Sequence, residues 1–381
     1  MGDTEYKNRL FSMTDMIGPT DKEAAALARA RWDSLGKPLR SFGKLEDAVI
    51  QMAAITGDPQ FSLDRRAIVV MCGDHGVTAE GVTQTGSDVT RTVAENMTRG
   101  RASINIMAKE AGADVFVVDI GMDCPTYENT DIVTGKIISR KVARGTGDIA
   151  KEPAMTQEQC AQAMLAGIEI ATKLAAADYN VIGLGEMGIG NTTPSSALVS
   201  TVLDLPPIEC TGRGAGLSDE DYKRKVMTVS KAIARYWKAT EGSEIRKDRH
   251  YSAQLGLEVM AQLGGYELAG MAGLCFGAAL NRVPVIVDGF ISQAAVLIAR
   301  LMVQVMPEYL LASHNSAEPA GRKVLSALGL HPVIDAGMFC GEGTGAAAAM
   351  QLYAMGLAEY IHMGTFHDIQ VEQYKLYDHN Q

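Results

Sequence analysis

Continuous apolar runs alternate along the chain with longer stretches in which apolar residues recur every three or four positions. The runs at 67–72, 114–119, 179–183 and 283–288 are typical of parallel strands buried on both faces. Shorter strands are predicted at 308–311 and 332–334. Helices are predicted between them, at 89–111, 156–176, 219–239, 253–262, 266–280, 292–305 and 318–329. This alternation predicts an α/β protein with a mainly parallel, doubly wound sheet.

The two ends of the chain carry helices without strands. The spacing of apolar residues in 21–55 predicts two amphipathic helices around the turn at Leu35–Pro38, and a further helix is predicted at about 344–363. Because these terminal helices can pack together, the sequence predicts two domains. The large domain would span residues 60–343, and a smaller helical domain would combine residues 1–59 with 344–381.

Composition and charge narrow the class of protein. The 381 residues carry 35 Lys and Arg against 45 Asp and Glu, a net charge of −10, without a basic block. This balance argues against nucleic-acid binding, which requires clustered cations.

The six cysteines show no paired spacing, so we expect reduced, mostly buried thiols. The first thirty residues lack the apolar core of a secretory signal, and the most apolar stretch, 268–280, is shorter than a membrane span. We therefore expect a cytoplasmic protein that does not enter membranes.

Five Gly- or Ser-rich loops follow the predicted strands, at 73–76, 121–123, 183–193, 288–290 and 312–318. In doubly wound sheets ligands bind at the carboxyl ends of the strands, so these loops predict a small-molecule site. Gly183, Gly185 and Gly188 match a dinucleotide-binding pattern, but Asp204, the acidic residue near the required spacing, follows a predicted helix instead of a second strand. Glycine amides and a helix beginning near residue 191 favour a monophosphate ligand instead.

Two charged residues are candidates for chemistry. Glu342 lies between glycines, where a carboxylate can approach a ligand closely and act as a general base; alternatively it stabilises the start of helix 344–363. Lys225 follows Lys223 and Arg224 on a predicted helix, and it either contacts an anion or shares their solvated face. His75 and His314 have no metal-ligand spacing, so the sequence predicts neither a metal site nor a cofactor.

Four segments together resemble one family, at residues 66–121, 183–198, 264–296 and 312–348. It is the nicotinate-nucleotide:dimethylbenzimidazole phosphoribosyltransferase family, which activates the lower ligand of cobamides. The resemblance implies a Rossmann-like large domain, a small helical domain from both chain ends, and a dimer. It also implies an enzyme that moves the 5-phosphoribosyl group of nicotinate mononucleotide to a base, with inversion at C1′ and release of nicotinate.

The resemblance also assigns roles to individual residues. Glu342 matches the catalytic glutamate, and Glu186 matches a glutamate placed near the ribose. The substrate-binding residues that it implies are Gly188 and Lys225 at the phosphate, Ser316 near the nicotinate, Gly343 beside the catalytic glutamate, and Thr85 and Val93 at the acceptor.

The sequence departs from the family pattern at two places. Leu39, Arg40 and Phe42 replace residues of a family segment near the N-terminus, and Val93 stands where a glutamine often binds the azole. This pattern looks like the heterodimeric branch that activates phenol and p-cresol, so the acceptor is expected to be a phenol or a benzimidazole. The partner would be a second copy or a paralogous subunit. The alternatives are a non-catalytic subunit of such a heterodimer and, more remotely, a nucleotide-dependent dehydrogenase.

Overall fold

The computed structural model describes residues 5–241 and 252–375 and contains one six-stranded sheet. Its strands are β1 (Arg66–Gly73), β2 (Ala113–Gly121), β3 (Ile137–Ser139), β4 (Val181–Met187), β5 (Val285–Val287) and β6 (Leu310–Ala312). They lie in the order β3-β2-β1-β4-β5-β6, and every neighbouring pair is parallel. This is the strand order of the Rossmann fold, which confirms the predicted fold class. The order reverses between β1 and β4, where such sheets bind their ligands.

Alternate residues of β1 enter two different cores, which is why its sequence is apolar without interruption. Ala67, Val69 and Met71 face one hydrophobic cluster. Ile68 and Val70 face the other. Because successive side chains of a strand point to opposite faces, a strand covered by helices on both sides needs apolar residues at every position.

The helices cover both faces of the sheet. In chain order they are α1 (Glu5–Thr14), α2 (Lys22–Ser34), α3 (Lys44–Thr56), α4 (Asp88–Thr98), α5 (Ser103–Glu110), α6 (Gln157–Ala176), α7 (Thr192–Leu203), α8 (Pro207–Cys210), α9 (Asp219–Ala239), α10 (Ala253–Leu263), α11 (Tyr266–Leu280), α12 (Phe290–Met302), α13 (Gly321–Leu328) and α14 (Thr344–His362). Short 3-10 helices occur at Gly76–Glu80 and Met306–Tyr309. None of the helices in the described part of the chain is both long and apolar enough to span a bilayer.

Small residues let α6 and α11 pack with their backbones in close contact. A Cβ atom on Gly273 would lie 1.9 Å from the carbonyl oxygen of Met164, and one on Gly167 would lie 2.1 Å from that of Gly270. No side chain fits at either position. The glycines and alanines of α11 therefore serve helix packing beneath the sheet.

Several predicted elements differ from the structure. The helix predicted at 89–111 is two helices, α4 and α5, because Gly100 adopts a left-handed conformation (φ +73°) between them. The strand predicted at 332–334 is wrong, since Ile334 makes only one isolated bridge, with His314. The strand predicted at 308–311 begins two residues later, after a 3-10 turn. The elements α1, β3 and α8 had no counterpart in the prediction.

The N-terminal helix packs on the face of the sheet that α6 covers. The backbone amides of Tyr6 and Lys7 donate to the carboxylate of Glu158 at the start of α6, and Leu10 belongs to the first core cluster. Helices α2, α3 and α14 pack together in the second cluster. The division into residues 60–343 and 1–59 plus 344–381 stays a prediction, and it includes residues 1–4 and 376–381, which lie outside the described residues.

Candidate active site

A cavity of about 580 Å³ lies at the carboxyl ends of β4, β5 and β6. Three of the five loops predicted to bind a ligand contribute to its wall, those at 183–193, 288–290 and 312–318. The loops at 73–76 and 121–123 do not line it. The first of these is covered instead, because a Cβ atom on Gly188 would lie 2.5 Å from the carbonyl oxygen of Gly73.

Six of the eight predicted site residues line the cavity, namely Glu342, Glu186, Gly188, Lys225, Ser316 and Thr85. The other two lie outside the described wall. Gly343 donates its backbone N–H to Oδ2 of Asp288 at 3.1 Å. Val93 is half-buried on α4 and packs against the second core cluster.

The loop that carries Glu342 has three successive residues in the left-handed region. The φ angles of Gly341, Glu342 and Gly343 are +77°, +62° and +91°. Glycine adopts this conformation freely, whereas a residue with a side chain is strained by about 1–2 kcal/mol. Such strain is concentrated at functional sites, where a side chain must be held in one particular direction.

The Glu342 carboxylate is directed at another helix. Its Oε2 accepts the backbone N–H of Ile104, in the first turn of α5, at 3.2 Å. Burial raises the pKa of Glu342; the Ile104 amide opposes the rise and the charge of Asp288 adds to it. A carboxylate with a raised pKa is suited to accept a proton near neutral pH. The alternative assignment, in which Glu342 stabilises the start of α14, stays a prediction; the carboxylate that accepts amides there is that of Asp288.

Asp288 holds the start of α14. It follows β5, and its two carboxylate oxygens accept the backbone N–H groups of Gly343 at 3.1 Å and Ala346 at 3.0 Å. Burial raises the pKa of Asp288 to about 6, against the lowering effect of these amides. The side chain therefore fixes the loop that presents Glu342. Loop 288–290 was predicted to bind a ligand, but no role was predicted for Asp288 itself, although a carboxylate directly after a buried strand was the available signal.

Glu186 lies near the end of β4 and is buried. Its Oε2 accepts a hydrogen bond from the side-chain amide of Asn191, and the backbone amide of Glu342 also contacts the carboxylate. A Cβ atom on Gly341 would lie 2.5 Å from Oε1. Burial raises the pKa of Glu186 to about 8; Asn191 opposes the rise and the charge of Asp288 increases it.

The raised pKa of Glu186 predicts that the ligand-free protein loses stability as pH rises. Between its ordinary value of 4.5 and about 8, the folded state keeps a proton that the unfolded state has released. Glutamine does not ionise in this range. Relative to the wild type, the free energy of unfolding of Glu186→Gln should therefore increase by roughly 2–4 kcal/mol between pH 5 and pH 9. Thermal unfolding of both proteins across this range measures the difference. A difference that does not change with pH would contradict the prediction, and Glu359→Gln, at an exposed position, is the control.

The opposite part of the cavity carries a buried cation. Lys225 is 1% exposed, whereas Lys223 on the same helix is exposed. Its Nζ donates to Oγ1 of Thr192 at 2.7 Å and to the carbonyl oxygen of Gly212 at 3.0 Å. Burial lowers the pKa of Lys225 to about 8, and the charge of Glu318 partly opposes this. Lys225 therefore does not share the solvated face of Lys223.

Thr192 is also the first residue of α7, so this part of the cavity combines a cation with a helix N-terminus. Unpaired backbone N–H groups and the helix dipole favour an anion there. The arrangement suits a phosphate monoester. The structure therefore supports the monophosphate interpretation over the dinucleotide one, and Asp204 ends α7 instead of following a strand.

Apolar and sulfur-containing side chains complete the wall, namely Val82, Met187, Phe339 and Cys340. Phe339 is 66% exposed at the cavity surface, which is unusual for a phenylalanine. All six cysteines of the chain are free, and five of them are buried, as predicted; Cys340 is the exposed one. Phe339 and Cys340 had no sequence signal beyond their proximity to Glu342.

The strand order and the cavity define an α/β protein with a small-molecule site at the carboxyl edge of a Rossmann-like sheet. A family model described as Phosphoribosyltransferase matches residues 17–371. The nicotinate-nucleotide–dimethylbenzimidazole phosphoribosyltransferase of Acetivibrio thermocellus is 41% identical over 366 residues, which are 96% of this chain and 99% of that protein. The protein of the same name from Clostridium acetobutylicum is 37% identical over 94% of this chain and 97% of its own length.

A solved structure agrees with these relatives. The crystal structure of CobT from Thermus thermophilus superimposes with a TM-score of 0.82 at 39% identity, covering 92% of this chain and all of that one. The chain therefore belongs to the nicotinate-nucleotide:dimethylbenzimidazole phosphoribosyltransferase family, as the sequence segments predicted.

Proposed function

We propose that this protein transfers the 5-phosphoribosyl group of nicotinate mononucleotide to the aromatic lower-ligand base of a cobamide, with inversion at C1′ and release of nicotinate. The observation that carries the proposal is that one cavity holds Glu342 together with the buried Lys225 and its hydrogen-bond partner Thr192. The first group can remove a proton, and the second can hold a phosphate. Membership of the family supports the same reaction.

The phosphate of the donor would bind at the start of α7. Lys225 supplies the charge, Thr192 supplies a hydroxyl, and Gly188 lines the same cavity. A phosphate next to Lys225 would raise the pKa of its ammonium group again, since an anion favours the charged form. Ser316 lines the same cavity and is the candidate for contact with the nicotinate ring.

Glu186 would face the ribose. As C1′ loses nicotinate, positive charge develops on the sugar, and a neighbouring carboxylate stabilises that charge. The same charge favours the ionised form of Glu186, whose pKa burial has raised to about 8. The Asn191 amide, which donates to Glu186, would keep the carboxylate in one orientation.

Glu342 would act on the acceptor. It removes the acceptor's acidic proton, the O–H of a phenol or the N–H of a benzimidazole. A lone pair on the phenol oxygen, or on the other ring nitrogen of the benzimidazole, forms the new bond to C1′, and the electrons of the N–H bond return to the ring. The bond from C1′ to the pyridinium nitrogen breaks on the opposite side, and its electrons remain on that nitrogen. The leaving group becomes a neutral pyridine ring, so its departure needs no acid.

The acceptor would be an aromatic ring with an acidic proton that Glu342 can remove, and Phe339 and Cys340 line the cavity next to Glu342 in the chain. One of the two sequence departures that favoured a phenol is Val93, which lies outside the described cavity wall. We therefore propose a benzimidazole such as dimethylbenzimidazole first, and phenol or p-cresol second. Whether the protein acts as a homodimer or with a paralogous subunit stays a prediction.

An assay of nicotinate release tests this proposal. The purified chain is incubated with nicotinate mononucleotide and dimethylbenzimidazole, phenol or p-cresol, alone and together with any paralogous subunit. We expect release with dimethylbenzimidazole at a higher kcat/KM than with either phenol. Release with a phenol alone would reverse the acceptor assignment, and bound donor without release under any condition would indicate a non-catalytic subunit.

A further inference from the structure

Two buried residues lie behind the cavity without lining it. Asp74 and His75 follow β1, and both are almost completely buried. We refer to them as the Asp74–His75 pair. They are covered by residues 188–191, here named the glycine loop, which do line the cavity. The proposed reaction assigns no chemistry to the pair. Burying an ionisable group is costly unless it is paired and hydrogen-bonded.

His75 supports the glycine loop from below. Its Nε2 lies 2.7 Å from Oε1 of Glu267, and both side chains are buried. The imidazole lies close beneath Gly188, since a Cβ atom there would be 3.4 Å from His75 Nε2. On its other side, a Cβ atom on Gly265 would lie 2.4 Å from His75 Cε1. The ring thus lies against two glycines and a carboxylate, and it packs directly against the glycine loop.

Thr90 of α4 holds the same loop and is a neighbour of Asp74. The Oδ2 atom of Asp74 accepts the backbone N–H of Asp123 at 2.7 Å. Burial raises the pKa of Asp74, and the neighbouring Thr90 hydroxyl is the largest effect that opposes this rise. Thr90 is completely buried, and its Oγ1 accepts the backbone N–H of Ile189 at 3.0 Å. The hydroxyl therefore holds the middle of the glycine loop.

The glycine loop connects these groups to both parts of the site. The backbone N–H of Asn191 donates to the carbonyl oxygen of Gly188 at 3.1 Å, which closes the loop into a turn. The Asn191 side chain donates to Glu186, and the next residue, Thr192, accepts from Lys225. A shift of the loop would therefore disturb the ribose side and the phosphate side of the cavity together.

We propose that Thr90, which accepts the Ile189 amide, is a positioning residue that fixes the glycine loop for binding of the phosphoribosyl donor. Thr90 does not touch the cavity, so it acts through Ile189 and Asn191. The inference rests on the proposed function, because the donor it names is the donor of that reaction. It concerns the donor half of the cavity and not the acceptor half.

An isosteric substitution tests this inference. Thr90→Val keeps the shape of the side chain and removes the acceptor of the Ile189 amide, whereas Thr90→Ser keeps the hydroxyl. We expect Thr90→Val to raise the Kd for nicotinate mononucleotide, measured by calorimetry, by about 10- to 30-fold. The KM for the acceptor should change by less than about twofold, and Thr90→Ser should restore most of the donor affinity.

Thr14→Val is the matched control. Thr14 is a buried threonine at the end of α1, far from the cavity in the chain, and its hydroxyl bonds only the Phe11 carbonyl of its own helix. The Thr14→Val protein should bind the donor with the affinity of the wild type. Thermal unfolding of all variants shows whether they fold, and if Thr90→Val does not, Thr90→Ala, which also lacks the hydroxyl, replaces it with the same loss of donor affinity expected.

Four results decide between the possibilities. Donor binding that is weakened in Thr90→Val alone supports the inference. Equal donor binding by Thr90→Val and Thr14→Val overturns it, as does a Thr90→Ser protein as weak as Thr90→Val, because the hydroxyl would then be irrelevant. A wild-type protein that does not bind nicotinate mononucleotide contradicts the proposed function itself, and the inference with it.

Discussion

Replacing Glu342 with glutamine should lower kcat for nicotinate release by about 10²- to 10⁴-fold, the contribution usual for a general base. Glutamine preserves the shape of the side chain and can still accept the Ile104 amide, but it cannot take a proton from the acceptor. The Kd for nicotinate mononucleotide should remain close to that of the wild type, because the phosphate contacts lie elsewhere in the cavity. Steady-state kinetics with dimethylbenzimidazole and donor titration measure the two quantities separately.

The pH dependence of kcat in the wild type should also report the protonation of Glu342. The pKa of Glu342 is raised above its ordinary value by burial, so the carboxylate becomes protonated, and kcat falls, as the solution is acidified from neutral pH. Glu359→Gln is the control, since Glu359 is an exposed carboxylate near the C-terminal end of α14. An unchanged kcat in Glu342→Gln would remove this residue from the mechanism.

Replacing Lys225 with methionine should weaken binding of nicotinate mononucleotide by about 10- to 100-fold, because hydrogen bonds to charged groups contribute about 1.5–3 kcal/mol. Methionine fills a similar volume but cannot donate to a phosphate. The ligand-free variant should remain folded, since burial already opposes the charge of Lys225 and lowers its pKa to about 8. Calorimetric titration with the donor gives the change in Kd directly.

The donor without its phosphate, nicotinate riboside, provides the specific control for this substitution. If Lys225 contacts the phosphate, the riboside should bind the wild type and Lys225→Met with similar affinity. Lys223→Met, two residues earlier on the exposed face of α9, should bind both ligands as the wild type does. Loss of riboside affinity in Lys225→Met would show that the lysine acts on another part of the site.

The central part of the sheet could be predicted from the sequence because its physical signal is local. Strands β1 and β2 are buried on both faces and are therefore apolar almost throughout. The short strand β3, Ile137–Ser139, has too few residues to show a period. The break between α4 and α5 was missed because the apolar pattern continues through it, and only the left-handed Gly100 marks the end of α4.

The site could be predicted only where it follows directly from the strands or from the family motifs. Glu186, Lys225 and Glu342 were identified in this way, and they line one cavity. Asp288 and Thr90 were missed because they act through hydrogen bonds to backbone amides distant in the chain, which leave no pattern in a single sequence. Val93 was placed at the acceptor by the family resemblance, and in the structure it packs against the second core cluster and does not line the described cavity.

The stereochemistry of the product tests the proposed transfer most directly. The protein is incubated with nicotinate mononucleotide and dimethylbenzimidazole, and the configuration at C1′ of the isolated ribotide 5′-phosphate is determined by NMR. A base held by Glu342 on the face opposite to the departing nicotinate must give the α-ribotide, with one nicotinate released for each ribotide formed. A β-ribotide, or nicotinate released by hydrolysis without any ribotide, would contradict the account.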